Sequence, residues 1–226
     1  MKKIVLILIL IMTPFILSAE QIQIGIVEEY TLSEQSEDSN MVAVRNFIAQ
    51  VNKLTSLNIK SEPVKVQFND RARLFSFPFI ILSKHKSVIN INQRTTLNDA
   101  EKNNLREYLE NGGFLLVNDD YGLNKPFREL VTEIYPDREL IELSNNFPLF
   151  HSYYKFNGLP KIHKHDGQPA QAYGLFINKR LAILYIYSSD IVDGWDKEGV
   201  HENDSPELRT KAIQFGINIL YYVMSH

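Results

Sequence analysis

Two uninterrupted apolar stretches limit what this chain can fold into more than any other feature. Phe77-Pro78-Phe79-Ile80-Ile81-Leu82 and Phe114-Leu115-Leu116-Val117 contain no polar side chain. An alternating strand leaves one face in water, whereas a continuously apolar strand has to be covered on both faces, as in the interior of a parallel sheet. Between the two runs, Leu97, Ala100, Leu105, Tyr108 and Leu109 recur at helical spacing. Asn98 and Glu101 have the spacing of a capping box, and Gly112-Gly113 supply a left-handed stop. Strand, helix, strand with both strands interior is a parallel crossover. Pro78 lies near the start of its run, where a missing amide donor is tolerated.

The flanking segments extend this pattern. Glu20 to Val27 reads as a first strand, and the polar segment Thr31 to Asn40 as a loop. Met41, Val44, Phe47, Ile48, Val51 and Leu54 define a helix. Val64, Val66 and Phe68 alternate with Lys65 and Gln67, which suits a strand near a sheet edge. Asn124 is the expected cap of a short helix over Lys125 to Tyr135, with Pro126 in its first turn. Residues 136–172 read as an ordered irregular excursion, in which Pro148, Leu149, Phe150, Tyr153, Tyr154 and Phe156 form a satellite core and His151 is packed or hydrogen-bonded. Gly174 to Ile177 and Leu181 to Tyr187 form a hairpin turning at Asn178-Lys179-Arg180. Ser205-Pro206 opens the last helix, buried through Leu208, Ala212, Phe215, Ile219, Leu220 and Val223. The expected fold is α/β: a single three-layer domain over residues 20–226, with a mostly parallel sheet, helices on both faces and a C-terminal β-hairpin.

Residues 1–19 read as a signal peptide. Lys2 and Lys3 precede the aliphatic run Ile4–Leu17, and Leu17-Ser18-Ala19 supplies small residues for cleavage before Glu20. The apolar run is shorter than the roughly twenty residues that a membrane-crossing helix needs, so no span is expected in the mature protein. Removal of residues 1–19 takes away two of the 24 Lys and Arg and none of the 27 Asp and Glu, leaving a formal charge of −5. That balance argues against nucleic acid as a partner. The chain has no cysteine, which excludes disulfides, thiolate metal sites, a cysteine nucleophile and a lipid-bearing N-terminal cysteine. GxSxG, P-loop and GxGxxG patterns are also missing.

In open α/β sheets, ligands bind beyond the carboxyl ends of the strands. Three apolar strands here deliver polar groups to that rim. The first ends in Ser83-Lys84-His85, the second in Asn118-Asp119-Asp120-Tyr121-Gly122, and the third in Ser188-Ser189-Asp190 with Asp193-Gly194-Trp195 beyond. His85, Asp119, Asp120, Asp190, Asp193 and Trp195 are therefore the expected ligand-binding residues. Asp119 and Asp120 are adjacent, so they point to opposite sides of an extended chain. Trp195 either stacks on a ligand or anchors its loop by burying its ring. His163 and His165, two apart, have a spacing that zinc sites use, but a pair lacks the third ligand. The metal and any cofactor stay unassigned.

Several segments taken together resemble the domain of unknown function 4159 family: Tyr108–Gly122, Tyr135–Leu140, Pro148–Tyr154, Gly158–His163, Gly174–Ala182 and Tyr185–Trp195. The resemblance spans nearly the whole mature chain and implies a variant of the class I glutamine-amidotransferase-like, flavodoxin-like α/β architecture. It also implies a bacterial protein, exported or membrane-tethered, and brings no activity with it. Family members tend to carry glycines where Lys84 and Lys86 flank His85, and the amidotransferase nucleophile has no counterpart in a cysteine-free chain. The expected function is non-enzymatic binding of a small ligand or an envelope protein at the rim. The alternatives are a hydrolase using a carboxylate, histidine or metal in the same crevice, and an interaction module docking through residues 147–156.

Overall fold

The structure, a computed structural model, describes residues 21–27, 39–85, 97–163, 167–201 and 205–226, with backbone alone for Ser39, Lys84, His85, Asp120 and Tyr121. Expectations that fall on residues 1–20, on most of the Thr31–Asn40 loop, on Lys86 and on His165 lie outside the described residues. Seven described strands form one sheet: β1 (Ile24–Val27), β2 (Val64–Val66), β3 (Phe79–His85), β4 (Phe114–Tyr121), β5 (Ile141–Glu142), β6 (Gln171–Ile177) and β7 (Arg180–Tyr187). Their order is β2-β1-β3-β4-β7-β6-β5. The first five in that order are parallel neighbours, and β6 and β5 continue antiparallel. The mostly parallel α/β sheet expected from the two apolar runs is present, with β3, β4 and β7 at its centre.

Burial follows the period of two along each central strand. Phe79 and Ile81 of β3, Phe114 and Leu116 of β4, and Leu184 and Ile186 of β7 pack with helices α1 (Ser39–Leu54) and α5 (Pro206–Ser225). The intervening Ile80, Leu82, Leu115, Val117, Ile183 and Tyr185 pack instead with α3 (Asp99–Glu110) and α4 (Asn124–Ile134). A short helix, α2 (Arg71–Leu74), capped by Asp70, was not evident from periodicity because one turn shows no repeat. Among the described residues no helix is long and apolar enough to cross a membrane.

Local signals are realised closely at several boundaries. Asn98 and Glu101 close the capping box of α3, and Gly112 has φ +103° beyond its end. Ser205 caps α5, with Pro206 as its first residue. Asn178 and Lys179 both have positive φ, as the tight turn of the β6–β7 hairpin requires, so Arg180 begins β7 instead of completing the turn.

Several features differ from expectation, among them β5 inside the segment 136–172 read as irregular and β6 beginning at Gln171. Asn124 lies inside the first turn of α4, with Leu123 at the cap position. Its side chain accepts from Arg128 at 2.7 Å, and Tyr185 Oη lies 3.3 Å from the same oxygen. β4 runs on past Val117 to Tyr121, because Asn118 and Asp119 pair with Ser83 and Lys84 on one side and Ile186 and Tyr187 on the other. The aromatic excursion is no satellite: Leu149 and Phe150 join the α1–α5 core, where Phe150 stacks on Phe215 at 5.8 Å. His151 is exposed and hydrogen-bonds the Asn145 carbonyl.

One polar side chain on α5 holds the excursion down. Asn218 is fully buried; its Oδ1 accepts from the amides of Tyr153 and Tyr154, and its Nδ2 donates to the Tyr154 carbonyl at 2.8 Å. Removing that amide strands backbone groups away from water. Asn218→Ala is expected to lower the unfolding free energy by about 3 kcal/mol, read as a lower urea midpoint with unchanged slope. A loss below about 1 kcal/mol would mean that water replaces the amide.

Candidate functional site at the carboxyl ends of the central strands

Asn118 is where three strands meet. It is fully buried, two positions beyond Leu116 on the α1–α5 side of the sheet. Its Nδ2 donates to Ser83 Oγ on β3 and to Asp190 Oδ1 in the loop after β7, both at 2.9 Å. Its Oδ1 accepts from the Ile191 amide at 3.0 Å. One amide side chain thus ties β3, β4 and the loop after β7 at the carboxyl rim.

The loop after β7 is then zipped to the excursion. The Asp190 amide donates to the Ile162 carbonyl at 3.0 Å, and the Ile162 amide donates to Ser189 Oγ at 2.9 Å. Lys161 Nζ donates to Ser188 Oγ at 2.7 Å and to the Gln168 carbonyl at 2.9 Å. Ser188 has φ +56°, a left-handed conformation uncommon outside glycine, which turns the chain sharply off β7. These bonds place residues 161–163 beside 188–190 and carry His163 toward the rim loop. Gly194 fits there because a Cβ would come within 2.4 Å of Ala212 Cβ and 2.8 Å of an Ile162 methyl.

Asp190 is the anomaly of this region. It is 1% exposed, and its Oδ1 accepts from Asn118 and from the Asp193 amide at 2.8 Å. Its Oδ2 is buried and, with Asp193 ionised, accepts no hydrogen bond among the described residues. The Asp193 carboxyl stands beside it, pushed up from 3.8 to about 7, first by burial and then by the neighbouring Asp190 carboxylate, with His201 pulling the other way. With Asp193 protonated, its hydroxyl has Asp190 as acceptor; with both ionised, no proton lies between them.

Beyond Asp193, His201 Nε2 lies 3.0 Å from Asp196 Oδ2 and 3.8 Å from Asp193 Oδ2. The His163 ring meets the His201 ring nearly edge-on, with centroids 5.2 Å apart. His163, Asp193 and His201 each bring one metal-ligating atom to within 4.8 Å of the others. Asp193 and His201 are about three-quarters buried, with side-chain exposures of 24% and 23%.

The structure distributes the expected site residues unevenly. Asp190 and Asp193 come together. Asp119 does not join them: it lies on the α3–α4 side, where Oδ1 accepts from the Leu123 amide at 2.9 Å and Oδ2 from Tyr185 Oη at 2.7 Å. The Tyr185 hydroxyl is pushed well above its usual range by burial and by Asp119. Trp195 is buried, stacked on Phe47 at 4.0 Å, and its Nε1 donates to the Ala212 carbonyl, so it anchors the loop. His85 ends β3 and Asp120 lies in β4, but their side chains are outside the description. Asn118, Asp196 and His201 were not singled out in the sequence. No motif joins His201 to His163, and only the alternation from Leu116 could have marked Asn118.

Asp193 binds its proton more tightly folded than unfolded, so the folded chain holds the extra proton between pH 3.8 and about 7. Its contribution to stability is full below that window and is lost as pH rises through it. In chelator-treated buffer, wild type is expected to lose stability between pH 5 and 7.5 relative to Asp193→Asn, measured as urea midpoints. Parallel pH profiles for the two proteins would contradict this ionisation.

Among curated proteins, none matches this chain. A family model described as "Domain of unknown function (DUF4159)" matches residues 25–224, which takes in every described strand but the first residue of β1 and all the rim residues above. The chain belongs to the DUF4159 family of domains of unknown function.

Proposed function

We propose that the protein is an exported envelope domain that binds a positively charged ligand at the carboxyl rim of β3, β4 and β7, without covalent catalysis. The observation that carries this reading is the Asp190 Oδ2 atom, buried and, with Asp193 ionised, without a donor among the described residues, at the strand ends where ligands bind in open α/β sheets. An unpaired buried carboxylate costs several kcal/mol, whereas a cation or strong donor beside it offsets that cost. Asp193, whose amide donates to Asp190, and His201 are each partly exposed to solvent. Covalent chemistry has little to draw on, because the chain has no cysteine and the Ser188 hydroxyl is engaged with Lys161 and Gln168. Export is supported by Lys2-Lys3, the aliphatic run Ile4–Leu17 and Ser18-Ala19, together with the shortness of that run.

Thermal denaturation of the chain from Glu20 to His226, with zinc, manganese, calcium and spermidine added singly, tests the binding. At a hundredfold excess over the dissociation constant, at least one of these cations is expected to raise the melting temperature by about 5 °C or more. Asp190→Asn keeps the size and the Oδ1 contacts but removes the charge. It should raise the ligand-free melting temperature and suppress the shift. No shift with any of the four would overturn the reading. For export, the protein recovered from outside the cytoplasm should have the intact mass of a chain beginning at Glu20; retention of residues 1–19 would contradict it.

A further inference from the structure

We infer that the rim ligand is a single divalent transition-metal ion, held by His163, Asp193 and His201 with one coordination position left to water or an exogenous group. The inference rests on the proposed cation site and names its occupant. Three donor atoms within 4.8 Å of one another lie close to the spacing that one ion demands. Bonds of about 2.0–2.1 Å to nitrogen and oxygen at tetrahedral angles put ligand atoms roughly 3.3 Å apart, a closure within reach of side-chain rotation. The donors come from two segments, His163 from the excursion and Asp193 and His201 from the rim loop. The Asp190–Ile162 and Ile162–Ser189 hydrogen bonds hold those segments side by side.

A histidine beside a carboxylate is commonly a hydrogen-bonded pair and nothing more, and the 3.0 Å contact of His201 with Asp196 satisfies that description. Two further observations go past it. A second imidazole, His163, is brought to the same point from a distant segment, with its backbone in the left-handed region at φ +49°. Beside Asp193, the buried Asp190 Oδ2 has no hydrogen-bond partner among the described residues, so two neighbouring carboxylates hold more negative charge than the hydrogen bonds described there neutralise. A dication supplies that charge. Asp190 then acts as a positioning residue: it grips the Asp193 amide through Oδ1 and is itself fixed by Asn118. Asp196 Oδ2 contacts the same His201 Nε2 that faces Asp193, so an ion bound through that nitrogen takes the place of the His201–Asp196 hydrogen bond.

The donor set selects the ion class. Two imidazoles and one carboxylate suit zinc, cobalt, manganese or iron(II), whereas calcium and magnesium take oxygen ligands almost exclusively. Three protein ligands around zinc are the arrangement that keeps a position open, in contrast to the four of closed structural sites.

The test uses the chain from Glu20 to His226, stripped of metal and titrated with zinc by calorimetry and with cobalt(II) by visible absorption. One ion per chain is expected. His163→Gln and His201→Gln should each weaken zinc binding on the order of 100-fold, Asp190→Asn on the order of 10-fold, and the exposed His151→Gln not at all. Zinc K-edge absorption of the unsubstituted protein reads the number of imidazole ligands directly, so a variant that fails to fold leaves the inference testable; two are expected. Unaltered zinc affinity in both histidine variants, or an edge spectrum with no imidazole, would overturn the inference. A melting-temperature rise with spermidine and none with zinc would overturn the metal while leaving the cation site standing. Silence from every cation would remove both.

Discussion

The hydrogen bonds of one buried amide organise the carboxyl rim of the central strands. Asn118 belongs to a strand covered on both faces, and a polar side chain there has to find all its partners within the protein. It finds them in Ser83 on one neighbouring strand and in Asp190 and Ile191 beyond the other. Each bond is modest in net energy, but the alternative is an unsatisfied amide in a low-dielectric interior, which is costly. That asymmetry fixes the loop after β7, and through the loop it fixes Asp193, Trp195 and the segment around Ile162.

The same sheet divides the rim into two unlike halves. On the α3–α4 side, Asp119 has donors for both oxygens, the Leu123 amide and the Tyr185 hydroxyl, and works as internal scaffolding. On the α1–α5 side, Asp190 has donors among the described residues for one oxygen only when Asp193 is ionised, and the Asp193 carboxyl stands beside it. Buried carboxylates without compensation oppose folding, and the proposed cation site rests on this charge imbalance. The surrounding core is well able to bear the cost. Trp195 stacks on Phe47 and donates to Ala212, and Gly194 passes between Ala212 and Ile162 with no room for a side chain.

How far the site could be read from the chain differs residue by residue. Asp190 and Asp193 were visible because they follow an apolar strand. Asp119 was equally visible and belongs to the other face, since adjacent strand residues point opposite ways and their order does not say which way the crevice lies. His201 was out of reach: it is 38 positions from His163, and the two rings meet only because the excursion doubles back along the loop after β7. The satellite core failed for a related reason. Leu149 and Phe150 show that an aromatic cluster will be buried, but the α5 surface that receives them lies some seventy residues on in the chain.

Periodicity and end signals are local, and they were enough to mark β1–β4, β6, β7, α1, α3, α4 and α5, though not α2 or β5, together with the interior position of β3 and β4, the hairpin of β6 and β7 and the caps of α3 and α5. These follow from what a few consecutive residues must do with their apolar faces and their terminal amides. Tertiary structure alone decided which polar groups meet. It extended β4 to take in Asn118, turned Asp119 away, set Asp190 against Asp193 and brought two histidines from separate segments to one point. Such meetings depend on summed geometry over tens of residues and on which face a long loop returns to, and no short stretch of sequence encodes either.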